Sequence, residues 1–120
     1  MAGMNASSSL TPQHHSLRTQ LQQLEAEMRS AGLWGALPPS EQAMASAMPF
    51  MYDTLQIEEW LQWVFVPRLH ALIEGGHPLP GECSVQPLAE HEWTQRTVPQ
   101  HQAALRMLAE IDALLGGKKA

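Results

Sequence analysis

The chain has 120 residues, 44% of them hydrophobic, with one cysteine and a formal net charge of −5. That length suits one domain, the apolar fraction is too high for a disordered chain, and a lone Cys83 excludes an internal disulfide. Between Ser30 and Gln95 the chain has eight carboxylates and a single base, Arg68, so the clustered Lys and Arg that bind phosphate are missing and nucleic-acid binding is not expected.

The opening "MAGMNASSSLTPQHH" carries no apolar core and no early base, unlike a secretory signal. No run approaches the roughly 18 apolar residues of a membrane span. With the unpaired cysteine, this reads as a cytoplasmic protein. Residues 1–12 are small and polar and are expected to be a disordered tail.

Leu17, Leu21, Leu24 and Met28 then fall on one helical face. Thr11 followed by Pro12 is a start signal and Gly32 a stop. Glu25 and Arg29 are spaced as an i,i+4 pair. The helix is amphipathic, with His14 and His15 expected as exposed features near its start.

A connection follows, with Pro38-Pro39, a possible short helix over "SEQAMASA", and an extended "MPFMYDT". Met44, Met48, Phe50, Met51 and Tyr52 make it unusually apolar. They read either as packing or as a deformable, Met-rich contact surface.

Asp53, three residues before Gln56, gives a capping-box-like start to the next helix, with Thr54 as a rival cap. Ile57, Trp60, Leu61, Val64, Leu69, Leu72 and Ile73 keep helical spacing, while Trp63, Phe65 and Val66 add apolar surface at other angles. Glu58, Glu59 and Gln62 read as a polar stripe. A helix apolar over most of its circumference is buried on several sides, so this one is expected at the centre. Pro67 falls inside it, at a cost of about 3 kcal/mol for a helix interior. The apolar phase nevertheless runs through, which predicts one kinked helix with its hinge near Trp63. Gly75-Gly76 ends it.

A short helix is expected near Pro87 over "PLAEHEW", with Trp93 inward. The last helix places Pro99 in its first turn and runs through Leu105, Leu108, Ile111 or Asp112, and Leu115 to Gly116-Gly117. The architecture is therefore an all-α, small antiparallel bundle of about four helices over 13–116, with residues 117–120 a tail.

No chemistry-bearing motif stands out. "HEWTQ" has Gln95 where a zinc helix needs histidine, and His70 and His77 are separated by a helix end. Cys83 follows a loop with no base selected by spacing. No metal, cofactor or catalytic residue is assigned, and a non-enzyme is expected.

The stretches "PFMYDT", "EEWLQWVFVPRLHALIE" and "PLPGECSVQPL", with Trp34 before the proline-rich connection, resemble the YqcC-like family of small bacterial proteins. The resemblance covers roughly residues 17–115. It implies a small helical bundle and carries no established catalytic residues. It also implies an association, through gene neighbourhood, with tRNA pseudouridine synthase C. This chain does not look like that enzyme itself. Asp53 lies in "MYDTLQ" rather than in the Arg-Leu-Asp-type motif of pseudouridine synthases.

The expected function is thus a non-catalytic protein-interaction module accessory to a tRNA-modifying enzyme. The alternative is a bundle that binds a small molecule or lipid in a cavity beside the kinked helix. Candidate binding residues are Phe50 and Tyr52 from the connection, and Trp60, Trp63, Arg68 and His70 from the central helix.

Overall fold

A computed structural model describes residues 10–116; of the tails expected at 1–12 and 117–120, residues 1–9 and 117–120 lie outside them, while Thr11 and Pro12 belong to the start of the first helix rather than to a tail. Four main helices form the bundle. Helix α1 is Pro12–Ser30. A one-turn α2, Glu41–Met44, and a 3-10 turn, Pro49–Met51, lie in the connection. Helix α3 is continuous over residues 57–74 and has three parts: an α turn Ile57–Trp60, a π-helical turn Leu61–Phe65, and an α segment Val66–Glu74. Helices α4, Gln86–Gln95, and α5, Gln102–Gly116, complete it.

The helices pack in a ring: α1 against α3 and α5, and α4 against α3 and α5. Every neighbouring pair is antiparallel. The Gln13 amide at the start of α1 donates to the Leu114 carbonyl at the end of α5. Asp112 of α5 meets the start of α4, and Glu58 at the start of α3 meets Trp93 at the end of α4. This is an up-down-up-down bundle.

The predicted α1 face is the core. Leu17, Leu21, Leu24 and Met28 are fully buried against Leu61, Leu69, Ile73, Leu108 and Ile111. Thr11 caps α1 as expected, its hydroxyl accepting from the His14 N–H. Glu25 and Arg29 form their ion pair at 2.7 Å, and the Arg29 guanidinium also lies over the Trp34 ring, 5.2 Å from its centroid. Gly32, at φ +74°, closes the helix: its N–H donates to the Arg29 carbonyl and the Leu33 N–H to the Met28 carbonyl. That is a Schellman motif.

Gly76 repeats the motif after α3, and Thr97 repeats it after α4, with the Val98 N–H donating to the Trp93 carbonyl. Thr97 adopts φ +51°, a left-handed conformation that a β-branched residue strongly resists.

Several local expectations change. His14 is buried, not exposed. The Thr11 N–H donates to its Nδ1 at 3.1 Å, and its Nε2 lies 2.8 Å from the His77 carbonyl oxygen. A carbonyl only accepts, so Nε2 carries the proton and the ring bridges the start of α1 to the turn after α3. Gln62 leaves the supposed polar stripe. It is buried, and its amide exchanges two 2.8 Å hydrogen bonds with the N–H and C=O of Gly35.

The cap of α3 is Gln56, whose N–H donates to the Glu59 carboxylate at 2.8 Å. Asp53 instead accepts from the Ser46 hydroxyl, and Thr54 donates to the Ala43 carbonyl. Both tie down the connection. Pro99 precedes α5 rather than entering it, because Gln100 at φ +58° interrupts the helical path.

A Thr97→Gly variant relieves the left-handed strain and should gain about 1 kcal/mol of stability. Equilibrium urea unfolding measures it, and an unchanged or lower midpoint would contradict the strain. Asp112→Ala should lose about 1–2 kcal/mol in the same assay, because it uncaps α4.

Candidate functional site

The central helix places its irregularity one turn before the proline. Pro67 has no N–H, and in regular α geometry its ring crowds the Trp63 carbonyl. The preceding turn is widened instead: the Val66 N–H donates five residues back to the Leu61 carbonyl. Trp63, near which the hinge is expected, is the middle residue of this π turn.

Widening changes which side chains align. In an α-helix, residues five apart are turned about 140° from one another. In the π turn they come into register. Trp60 and Phe65 therefore stack, with centroids 5.2 Å apart and planes at 28°. Phe50 meets Trp60 edge-on at 4.9 Å.

Phe50 reaches that position through strain. The expected extended "MPFMYDT" is extended only at Met48; Phe50 and Met51 both adopt positive φ, 56° and 50°. Non-glycine residues held there cost about 1–3 kcal/mol each, and such strain concentrates at functional sites.

These aromatics line an open groove of about 240 Å³ with Leu69, Val85 and Leu115. Pro80, Glu82, Cys83 and Ser84 form another wall, and the exposed Arg68 lies at its edge. The floor is apolar, and among the described residues Arg68 is the one cation that lines the groove.

Of the six candidate binding residues, Phe50, Trp60 and Arg68 converge on this groove. The other three do not. Trp63 lines a separate notch of about 230 Å³ with Leu37, Gln62 and Glu59. Tyr52 is 57% exposed on the connection, and His70 is half-buried and lines none of the three cavities described here. Sequence spacing alone missed Phe65, because strict α phase sets it apart from Trp60. It also missed Val85 and Leu115, which only tertiary packing brings near.

A third cavity of about 550 Å³ borders the groove and shares Glu82, Cys83 and Ser84 with it. Its wall holds Asp112, which accepts from the Val85 N–H at 3.0 Å and the Gln86 N–H at 2.9 Å. A carboxylate from α5 thus supplies the N-terminal partners of α4. Cys83 sits beside it. Burial, with the neighbouring Asp112 carboxylate, pushes the Cys83 thiol far above its ordinary value of 9.0. A thiol held protonated is a poor nucleophile.

Glu58 leaves the expected polar stripe, while Glu59 stays at the exposed helix start. Glu58 accepts from Trp93 Nε1–H at 3.1 Å and pairs with Arg96 at 2.6 Å, while Arg96 also donates to Gln56. Among the described residues no group of three His, Cys, Asp or Glu is placed to hold a metal ion, and no helix is long and apolar enough to cross a membrane.

The raised Cys83 value has a definite sign. The folded state favours the neutral thiol, so its contribution to stability is complete below about pH 9 and declines as pH rises above that value. Alkylation by iodoacetamide at pH 8.5 should accordingly be much slower in the native chain than in urea. Equal rates in the two states would contradict the half-buried, Asp112-adjacent thiol.

The family model described as "DUF446: tRNA pseudouridine synthase C" matches residues 16–114. An uncharacterized protein of Haemophilus influenzae is 46% identical over 70 residues, which are 58% of this chain and 66% of that one. The uncharacterized protein YqcC of Escherichia coli is 40% identical over 101 residues, 84% of this chain and 92% of its own length. A protein of Pectobacterium carotovorum named tRNA pseudouridine synthase C is 39% identical over 80 residues, 67% of this chain but 21% of its own length. The solution NMR structure of E. coli YqcC superposes with a TM-score of 0.76 at 36% identity, covering 92% of this chain and 93% of that one. The shared helical architecture and the extent of these matches lead to one conclusion: the chain belongs to the YqcC-like family, DUF446.

Proposed function

We propose that this chain is a non-catalytic docking domain of the cytoplasm, accessory to a tRNA pseudouridine synthase C, with the aromatic groove as its contact. The observation that carries the reading is the Pectobacterium relative. There, a stretch similar to this domain occupies about a fifth of a protein bearing that enzyme's name. Two units joined in one chain in one organism support a partnership between them as separate chains in another.

The groove supports this reading by size. Ligand pockets usually measure about 300–1,000 Å³. A groove of about 240 Å³ that opens to solvent suits one or two anchoring side chains better than a lipid or cofactor. The half-buried Trp60 and the exposed Arg68 are also of the residue types enriched among the residues that carry docking interfaces.

Three side chains able in principle to carry chemistry, Cys83, Asp53 and His70, do not gather at the groove, which supports a non-catalytic role. Cys83 is held as a thiol by burial and Asp112. Asp53 is engaged by Ser46 in the connection. His70 is apart from the groove that holds Cys83.

Sedimentation velocity of the purified chain mixed with the same organism's tRNA pseudouridine synthase C tests the proposal. A stoichiometric complex at micromolar concentration is expected, weakened at least tenfold by Trp60→Ala with helicity checked by circular dichroism. Should the two proteins sediment independently at low and moderate salt, the proposal fails.

A further inference from the structure

We propose that the groove beside Phe50, Trp60 and Phe65 receives a large apolar side chain flanked by a carboxylate on the partner protein, with Arg68 as the ion-pair partner of that carboxylate. The inference rests on the docking reading above and specifies the chemistry of the anchor.

The floor sets the first half. The half-buried Phe50 and Trp60 present apolar surface, backed by the buried Phe65, Leu69, Val85 and Leu115 that line the groove beneath them, and about 240 Å³ accommodates a side chain the size of phenylalanine or leucine. Filling it displaces water from apolar atoms at about 25 cal/mol per Å² buried. Trp60, half-buried between Phe50 and Phe65, offers a rigid wall with little entropy left to lose.

Arg68 sets the second half. It is exposed and lines the groove. The ion pairs among the described residues are Glu25–Arg29 and Glu58–Arg96, so among those residues Arg68 has no carboxylate within pairing distance, although Glu82 lines the same groove. A guanidinium presents a planar fork suited to a carboxylate, and at an apolar edge the pair is less screened than in open water.

The surrounding charge sharpens this. Arg68 is the only base between Ser30 and Gln95, against eight carboxylates. Of those carboxylates Glu82 lines the groove together with Arg68, so a partner carboxylate is drawn to Arg68 and repelled at Glu82. Among the described residues lining the groove, the Arg68 cation and the Glu82 anion therefore set register as well as affinity, since like charges brought together disfavour other alignments.

Selection of a random peptide library displayed on phage, against the full chain and against Arg68→Glu, tests the proposal. Arg68 is exposed, so the variant should keep native helicity by circular dichroism. The native chain is expected to enrich peptides with Phe, Leu or Trp within three positions of Asp or Glu. Those peptides should bind Arg68→Glu at least tenfold more weakly, and the variant should enrich Lys or Arg in place of the acid.

The same consensus from both proteins, or no enrichment from either, would overturn the anchor. So would a homodimer, detected by sedimentation, that Arg68→Glu disperses, since a second copy would then be the occupant. If the synthase binds but its affinity is unchanged by Arg68→Glu, the anchor fails while docking stands. If the synthase does not bind while the acid–apolar consensus appears and reverses, the partner's identity fails while the anchor stands.

Discussion

A proline that cannot donate a hydrogen bond sits inside the most buried helix of this bundle, and much of the molecule's shape depends on how that is accommodated. The chain neither breaks at Pro67 nor bends as two independent helices. It widens the preceding turn, so that the Val66 N–H reaches the Leu61 carbonyl. A π turn is costly in isolation and rare except where something is gained. Here it brings two aromatic rings five residues apart into contact and leaves them facing a groove. The irregular backbone and the candidate site are one feature seen at two levels.

The same economy governs the polar side chains. A small bundle with proline-rich connections has many backbone groups without helical partners. Three of its needs are met by side chains remote in sequence. Gln62 pairs with the Gly35 peptide, Asp112 with the first N–H groups of α4, and His14 with the His77 carbonyl. Each ties an irregular segment to a helix, and each is a hydrogen bond that water would have to replace if the side chain were lost.

Helical faces were legible in the sequence because they depend on local periodicity. The α1 stripe, the inward Trp93, the Glu25–Arg29 pair and the unbroken run through Pro67 are properties of near neighbours. The roles of Gln62, His14 and Asp112 were not legible. Each is fixed by a partner at least 26 residues away, and polarity alone assigns such residues to the surface. The groove was half legible. Phe50, Trp60 and Arg68 could be nominated as large or charged residues of an apolar stretch. Phe65 joins Trp60 only through π geometry, and Phe50 only through two left-handed residues that no local propensity favours. Trp63, equally conspicuous in sequence, was turned to another notch by the same widened turn.

The Asp112 cap has a consequence for how the domain comes apart. Helix α4 is short, has no side-chain cap of its own at Val85, and carries no acidic residue in its first turn. Its start is completed by a carboxylate 26 residues downstream. Neither the helix nor its cap is finished until α5 has docked, so α4 has little reason to persist alone. The two should therefore open and close as one cooperative unit, slower to assemble than the locally encoded α1. The wall that Cys83, Ser84 and Val85 contribute to the groove lies at the edge of that unit, which couples the outline of the candidate site to the least autonomous part of the bundle.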